Sequence, residues 1–164
     1  MKALRLAYLR NFIFGVEDSL VSTVGLLSGV AIAGMEREAI FVTGVVLIFV
    51  EAVSMAAGSF LSESTAEEMQ TGSDQVSKKS YLASLVMLVS YFVSGFVPLI
   101  PYILLPVGVA FWTSIGVSLV ALFLLGVAGA SLTKTRLMAN ALRMLFVGGL
   151  AIAVGALVGR FIGA

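Results

Sequence analysis

Residues 39–61 read AIFVTGVVLIFVEAVSMAAGSFL, an unbroken apolar run whose single charged side chain is Glu51. A hydrocarbon core of roughly 30 Å is crossed by about 20 helical residues, so this run is long enough to span a bilayer. One similar run precedes it and three follow, which predicts spans at about 11–34, 39–61, 80–99, 102–128 and 141–162. The whole chain has the same character. Of its 164 residues, 60% are hydrophobic and 12% charged, whereas soluble domains carry roughly a quarter charged residues. Its mean hydropathy is +1.10. The predicted fold class is an all-α integral membrane protein with five transmembrane helices in one domain.

Composition also excludes chemistries. A net charge of +1 with no extended basic block gives no footing for nucleic acid. Cysteine and histidine are both absent, which removes disulfides, Cys/His zinc sites, haem ligation through either residue and catalysis by either. Metal chemistry is left to oxygen ligands and methionine, and no fixed cofactor is expected. Lys2, Arg5 and Arg10 before an apolar run, with Ala31-Ile32-Ala33 beyond it, imitate a signal peptide. The run is too long for that role and contains Glu17 and Asp18.

The connections are short. Met35-Glu36-Arg37-Glu38 is read as a tight turn, and Val97-Pro98-Leu99-Ile100-Pro101 as the break between spans three and four, since proline cannot donate within a helix. Pro106 is expected in the first turns of span four. Residues 63–79 are expected to form a short acidic cytosolic loop, with Gly72-Ser73-Asp74 separating short helical extensions of spans two and three. Ser131 to Asn140 is the other polar connection. Five spans place Lys2, Arg5, Arg10, Lys78, Lys79, Lys134, Arg136 and Arg143 on one side and Arg37 and Arg160 on the other. Cytoplasmic loops hold the excess of basic residues, so the N-terminus is expected in the cytosol.

Polar residues inside the spans carry the functional reading. At about 100° per residue, Asp18, Ser22, Gly25 and Gly29 share one stripe of span one, and Glu51, Met55, Gly58 and Ser62 one of span two, continued by Gly44. Antiparallel neighbours bring Asp18, Glu51 and Met55 to similar depth. A carboxylate near a bilayer's centre costs at least about 2.5 to 3.5 kcal/mol, so such residues face a cavity or a partner and usually work. The bland reading is an ion pair, with Arg10 or Arg143 reaching Asp18. The functional one is a cation site: two carboxylates beside a thioether suit Fe²⁺ or Mn²⁺ better than Mg²⁺ or Ca²⁺. A methionine on a helix face serves packing as readily as ligation. Carboxylates in such surroundings favour a proton when no cation is bound, which makes metal–proton exchange a natural mechanism.

Tyr91 lies on a stripe with Ser84, Met87 and Gly95, as a hydroxyl for the pathway or as a packing aromatic. Gly155, Gly159 and Gly163 form a ladder permitting close helix contact, within or between subunits. Glu63, Glu67, Glu68 and Asp74 cluster at the expected cytosolic mouth, with Met69 nearby, either as a solvated acidic loop or as a site that collects cations.

Three ordered motifs resemble the vacuolar iron transporter family. Residues 10–25, RNFIFGVEDSLVSTVG, are similar to its first-helix motif, an arginine followed by G-x-x-D-[GS]-L. EAVSMAAG at 51–58, with Leu61, Ser62 and Glu67, resembles the S-M-x-x-G motif of its second helix. Ser90-Tyr91-Phe92-Val93-Ser94-Gly95 before Pro98-Leu99-Ile100-Pro101-Tyr102 resembles the third. The resemblance implies a five-helix protomer that dimerises with the ion path between subunits, exporting Fe²⁺ or Mn²⁺ from the cytosol against protons. It carries pathway roles onto Asp18, Met55 and Tyr91. A family glutamate two turns before the methionine falls on Leu47, for which Glu51 is the expected substitute. The family's long glutamate-rich cytosolic domain shrinks to residues 63–79, leaving Glu63, Glu67 and Glu68 as its remnant. The expected location is a prokaryotic inner membrane. The alternatives are a structural or assembly subunit whose carboxylates pair with arginines, and a small proton-coupled exporter of organic cations. The latter requires an aromatic-lined cavity, whereas Trp112 is placed in span four away from the acidic stripes.

Overall fold

The computed structural model describes residues 2–72 and 77–163 and is all-helical there. Its elements are α1 (Lys2–Ile32), α2 (Arg37–Thr71), α3 (Lys78–Leu104), α4 (Val107–Thr133) and α5 (Leu137–Ile162). All five are long and apolar enough to cross a membrane. At 1.5 Å per residue the 35 residues of α2 reach about 50 Å, so its polar C-terminal turns project beyond a hydrocarbon core.

Successive helices run antiparallel through short connections. Gly34 turns α1 into α2 at φ 79°, and Lys134 takes the left-handed conformation (φ 55°) that ends α4. Gly72 closes α2 at φ 64°, its N–H bonded to the Glu68 carbonyl. Ser77 caps α3, its hydroxyl accepting from the Lys79 and Ser80 amides. Ser73 and Asp74, assigned to the break between α2 and α3, lie outside the described residues.

The break between the third and fourth helices is not at Pro98-Leu99-Ile100-Pro101. Both prolines are buried inside α3, and the chain turns at Leu105-Pro106, with Leu105 extended as a residue before proline prefers. Proline is tolerated in a membrane helix where neighbours satisfy the backbone it frees. Here the Ser114 hydroxyl of α4 donates to the Pro98 carbonyl at 2.7 Å. Arg37, at the start of α2, donates to the Tyr102 carbonyl at 2.8 Å and to that of Ile103, closing the end of α3. The turn through Met35 and Glu36 stands where expected, although α2 already begins at Arg37.

Helix α1 is the centre of the bundle, packed closely on α3 and α5 and more loosely on α2. The α1–α5 contact is made of glycine: a Cβ on Gly155 or Gly159 would collide with the backbone carbonyl of Gly25 or Gly29, and one on Gly163 with Ala33. The glycine ladder of α5 therefore serves packing inside one protomer. Gly44 leaves the polar stripe predicted for α2. It packs on Leu27 and Leu99, beside the buried cluster of Leu27, Ile40, Ile48, Leu99, Tyr102 and Ala110.

Candidate functional site

Two close approaches of α1 and α3 position the polar residues. A side chain on Gly15 would meet Ser90 and Met87, and one on Gly95 would place its Cβ 2.7 Å from Ile48 and 2.9 Å from the Ser19 oxygen. With the backbones this near, the Ser19 hydroxyl donates to the Tyr91 carbonyl at 2.6 Å. The Tyr91 and Ser22 hydroxyls share a 2.7 Å hydrogen bond. Tyr91 is fully buried, while Asp18 and Glu51 are half-buried on α1 and α2, close enough for their negative charges to act on each other and on Tyr91. The structure thus brings together Asp18, Glu51 and Tyr91. Among the described residues, neither carboxylate has an ion pair: Arg10, the expected partner of Asp18 in the bland reading, reaches Glu63 instead.

One turn from Glu51, Met55 lines a cavity of about 1080 Å³ along the loose seam between α1 and α2. Asn11 and Glu17 of α1, Ser59 of α2 and Met87 of α3 line it as well. Four of the seven residues assigned to the site, Asp18, Glu51, Met55 and Tyr91, therefore lie at or beside one seam. Trp112 is 72% exposed on the outer face of α4, away from it.

The other three are arranged differently. Glu63, 7% exposed, forms an ion pair with Arg10, and the Lys79 ammonium lies 3.5 Å from its other oxygen. Lys79 also stands 3.4 Å from Glu67, which accepts hydrogen bonds from Ser77 (2.8 Å) and Ser80 (2.9 Å). These bonds join α1, α2 and α3 where α2 leaves the apolar region, and residues 63–71 continue α2 as helix. Glu68 and Met69 are exposed, and Asp74 lies outside the described residues. Among the described residues no three acidic side chains gather as a metal-binding cluster.

Glu17 is the residue the sequence reading passed over. Its signal was present: Leu6, Arg10, Ile13 and Glu17 recur at helical spacing, and this is the face of α1 that lines the cavity. Met87 was noted for its stripe but not as a wall of the cavity.

The family model described as VIT family matches residues 9–81 and 66–160, which covers α2, α3 and α4, most of α1 and α5, and the positions of Asp18, Glu51, Met55 and Tyr91. No curated protein sequence matches the chain.

Proposed function

The chain belongs to the VIT family, whose members are membrane metal-ion transporters, and from that premise we propose that it carries divalent transition-metal cations, Fe²⁺ and/or Mn²⁺, out of the cytosol in exchange for protons. The observation that carries this reading is the pair Asp18 and Glu51, half-buried at membrane depth with no basic partner among the described residues. Carboxylates so placed are costly unless a positive charge neutralises them. A mobile cation supplies that charge, and protons supply it when the cation has left, which is the logic of exchange.

In this reading Asp18 and Glu51 bind the cation through oxygen, Met55 adds a thioether at the cavity edge, and Tyr91, held by Ser22, presents its hydroxyl to the pathway. The thioether disfavours Mg²⁺ and Ca²⁺, which take all-oxygen shells. Glu63 and Glu67 hold the helix ends together through Arg10 and Lys79, and Glu68 is free to draw cations toward the mouth. The basic residues gathered at the N-terminal end support a cytosolic N-terminus. A homodimer that closes the α1–α2 seam is the assembly we expect, in a prokaryotic inner membrane.

The test is flux into proteoliposomes of purified protein, comparing Fe²⁺, Mn²⁺, Zn²⁺ and Mg²⁺ while internal pH is recorded. Uptake of Fe²⁺ or Mn²⁺ with opposite proton movement, lost in Asp18→Asn, supports the proposal. Wild-type flux in Asp18→Asn overturns it and favours a structural role for the carboxylates.

A further inference from the structure

Besides Met55, which the two sites share, the wide cavity holds donors that the pathway above does not use. Glu17 is half-buried in its wall and, among the described residues, has neither an ion pair nor a hydrogen bond. Arg10 lies two turns away on the same face of α1, but its guanidinium is turned to Glu63. Lys79 is likewise held by Glu63 and Glu67. Two further polar groups of the wall are buried without partners: the Asn11 amide nitrogen, in a residue 4% exposed, and the Ser59 hydroxyl. Buried polar groups are ordinarily paired, so two that line one cavity beside a half-buried carboxylate point to a ligand. Rotation about its last side-chain bond lets the Asn11 amide present its oxygen or its nitrogen. Met55 and Met87 add sulfur to the same wall.

We infer that Glu17, with the Met55 and Met87 thioethers and the Asn11 amide, forms a capture site for a divalent transition-metal cation in this cavity, ahead of the Asp18–Glu51 pair. One carboxylate with two thioethers suits a borderline cation such as Mn²⁺ or Fe²⁺ and leaves Mg²⁺ and Ca²⁺ poorly served. With a single carboxylate the ion keeps several waters and exchanges readily. That property suits capture rather than storage. The next carboxylate is one residue along α1, about 1.5 Å further down the helix axis and turned by about 100°. Both carboxylates attract positive charge, so a cation drawn in by the first is attracted by the second as it moves inward.

The site's role in transport rests on the function proposed above, but its occupancy does not, and the experiment separates the two. Mn²⁺ binding to the full-length chain in detergent is followed by loss of the free-ion electron paramagnetic resonance signal, and Mn²⁺ flux in proteoliposomes is followed in parallel. Glu17→Gln is expected to weaken binding about tenfold and raise the half-saturating concentration for flux in step, with the maximal rate within about twofold of wild type. Glu17→Asp restores most of the affinity. Met87→Leu, which conserves volume, weakens Mn²⁺ binding without altering the weak binding of Mg²⁺. Asp18→Asn still binds Mn²⁺ but does not move it. Wild-type affinity in both Glu17→Gln and Met87→Leu, no Mn²⁺ binding by the wild-type chain, or a lost maximal rate at unchanged half-saturation overturns the capture site. Glu17-dependent binding without flux in the wild-type chain leaves the capture site standing and overturns the transport reading.

Discussion

Helix α2 presents two kinds of carboxylate about three turns apart. At its polar end, Glu63 is enclosed by Arg10 and Lys79, and Glu67 by Lys79, Ser77 and Ser80. In its apolar stretch, Glu51 faces Asp18 with no cation from the described residues. The same functional group thus meets opposite surroundings. Near the bundle's end, long basic side chains reach an acid at little cost because their heads stay in water. In the middle no basic side chain among the described residues pairs with either carboxylate, and the proposed function assigns that charge to a mobile cation.

Removing one carboxylate from each kind of site tests that contrast. The largest effect is expected for Asp18→Asn, with metal flux falling roughly a hundredfold or more, equivalent to about 2.7 kcal/mol, while thermal stability in detergent is unchanged or raised. Flux retained alongside lost stability would put Asp18 in the same class as Glu63. Glu51→Gln is expected to lower flux about tenfold, since Asp18 and Met55 remain, again without loss of stability. Arg10→Ala should act the other way, lowering unfolding stability by roughly 1–3 kcal/mol through the abandoned Glu63, as read by thermal or denaturant unfolding. Its flux should stay near wild type. Tyr91→Phe removes the hydrogen bond to Ser22 and is expected to cost about 1 kcal/mol in stability, with flux reduced a few-fold. A loss of stability without any change in flux would make Tyr91 a packing aromatic.

Much of the architecture was legible in the chain because a membrane span is a local property. Residues 39–61 are apolar for long enough to cross a bilayer whatever surrounds them, and so are the other four runs. The prolines misled because proline ends helices in water. In α3, Pro98 and Pro101 are buried against neighbouring helices, and Ser114 of α4 bonds the carbonyl of Pro98. Helical spacing also anticipated that Asp18, Glu51 and Tyr91 lie near one another, since each stripe lies within one element. Glu17 is not legible from the stripe of Asp18, because it lies one residue and about 100° away on another face of α1. The face it shares with Leu6, Arg10 and Ile13 acquires meaning from the cavity opposite.

Sequence alone determined that the protein is helical and membrane-spanning, that its polar chemistry is limited to oxygen and thioether donors, and which family's motifs it carries. Tertiary structure decided which acids are paired with basic side chains and which, among the described residues, are not. It also decided that the α5 glycines pack on α1 of the same protomer, and that Glu17 looks into the wide cavity. The reason is distance along the chain: apolar length and helical spacing are written within a few turns, whereas Arg10 and Glu63 meet across 53 residues. Their meeting, and the absence of one for Asp18 among the described residues, depends on how the five helices settle against each other.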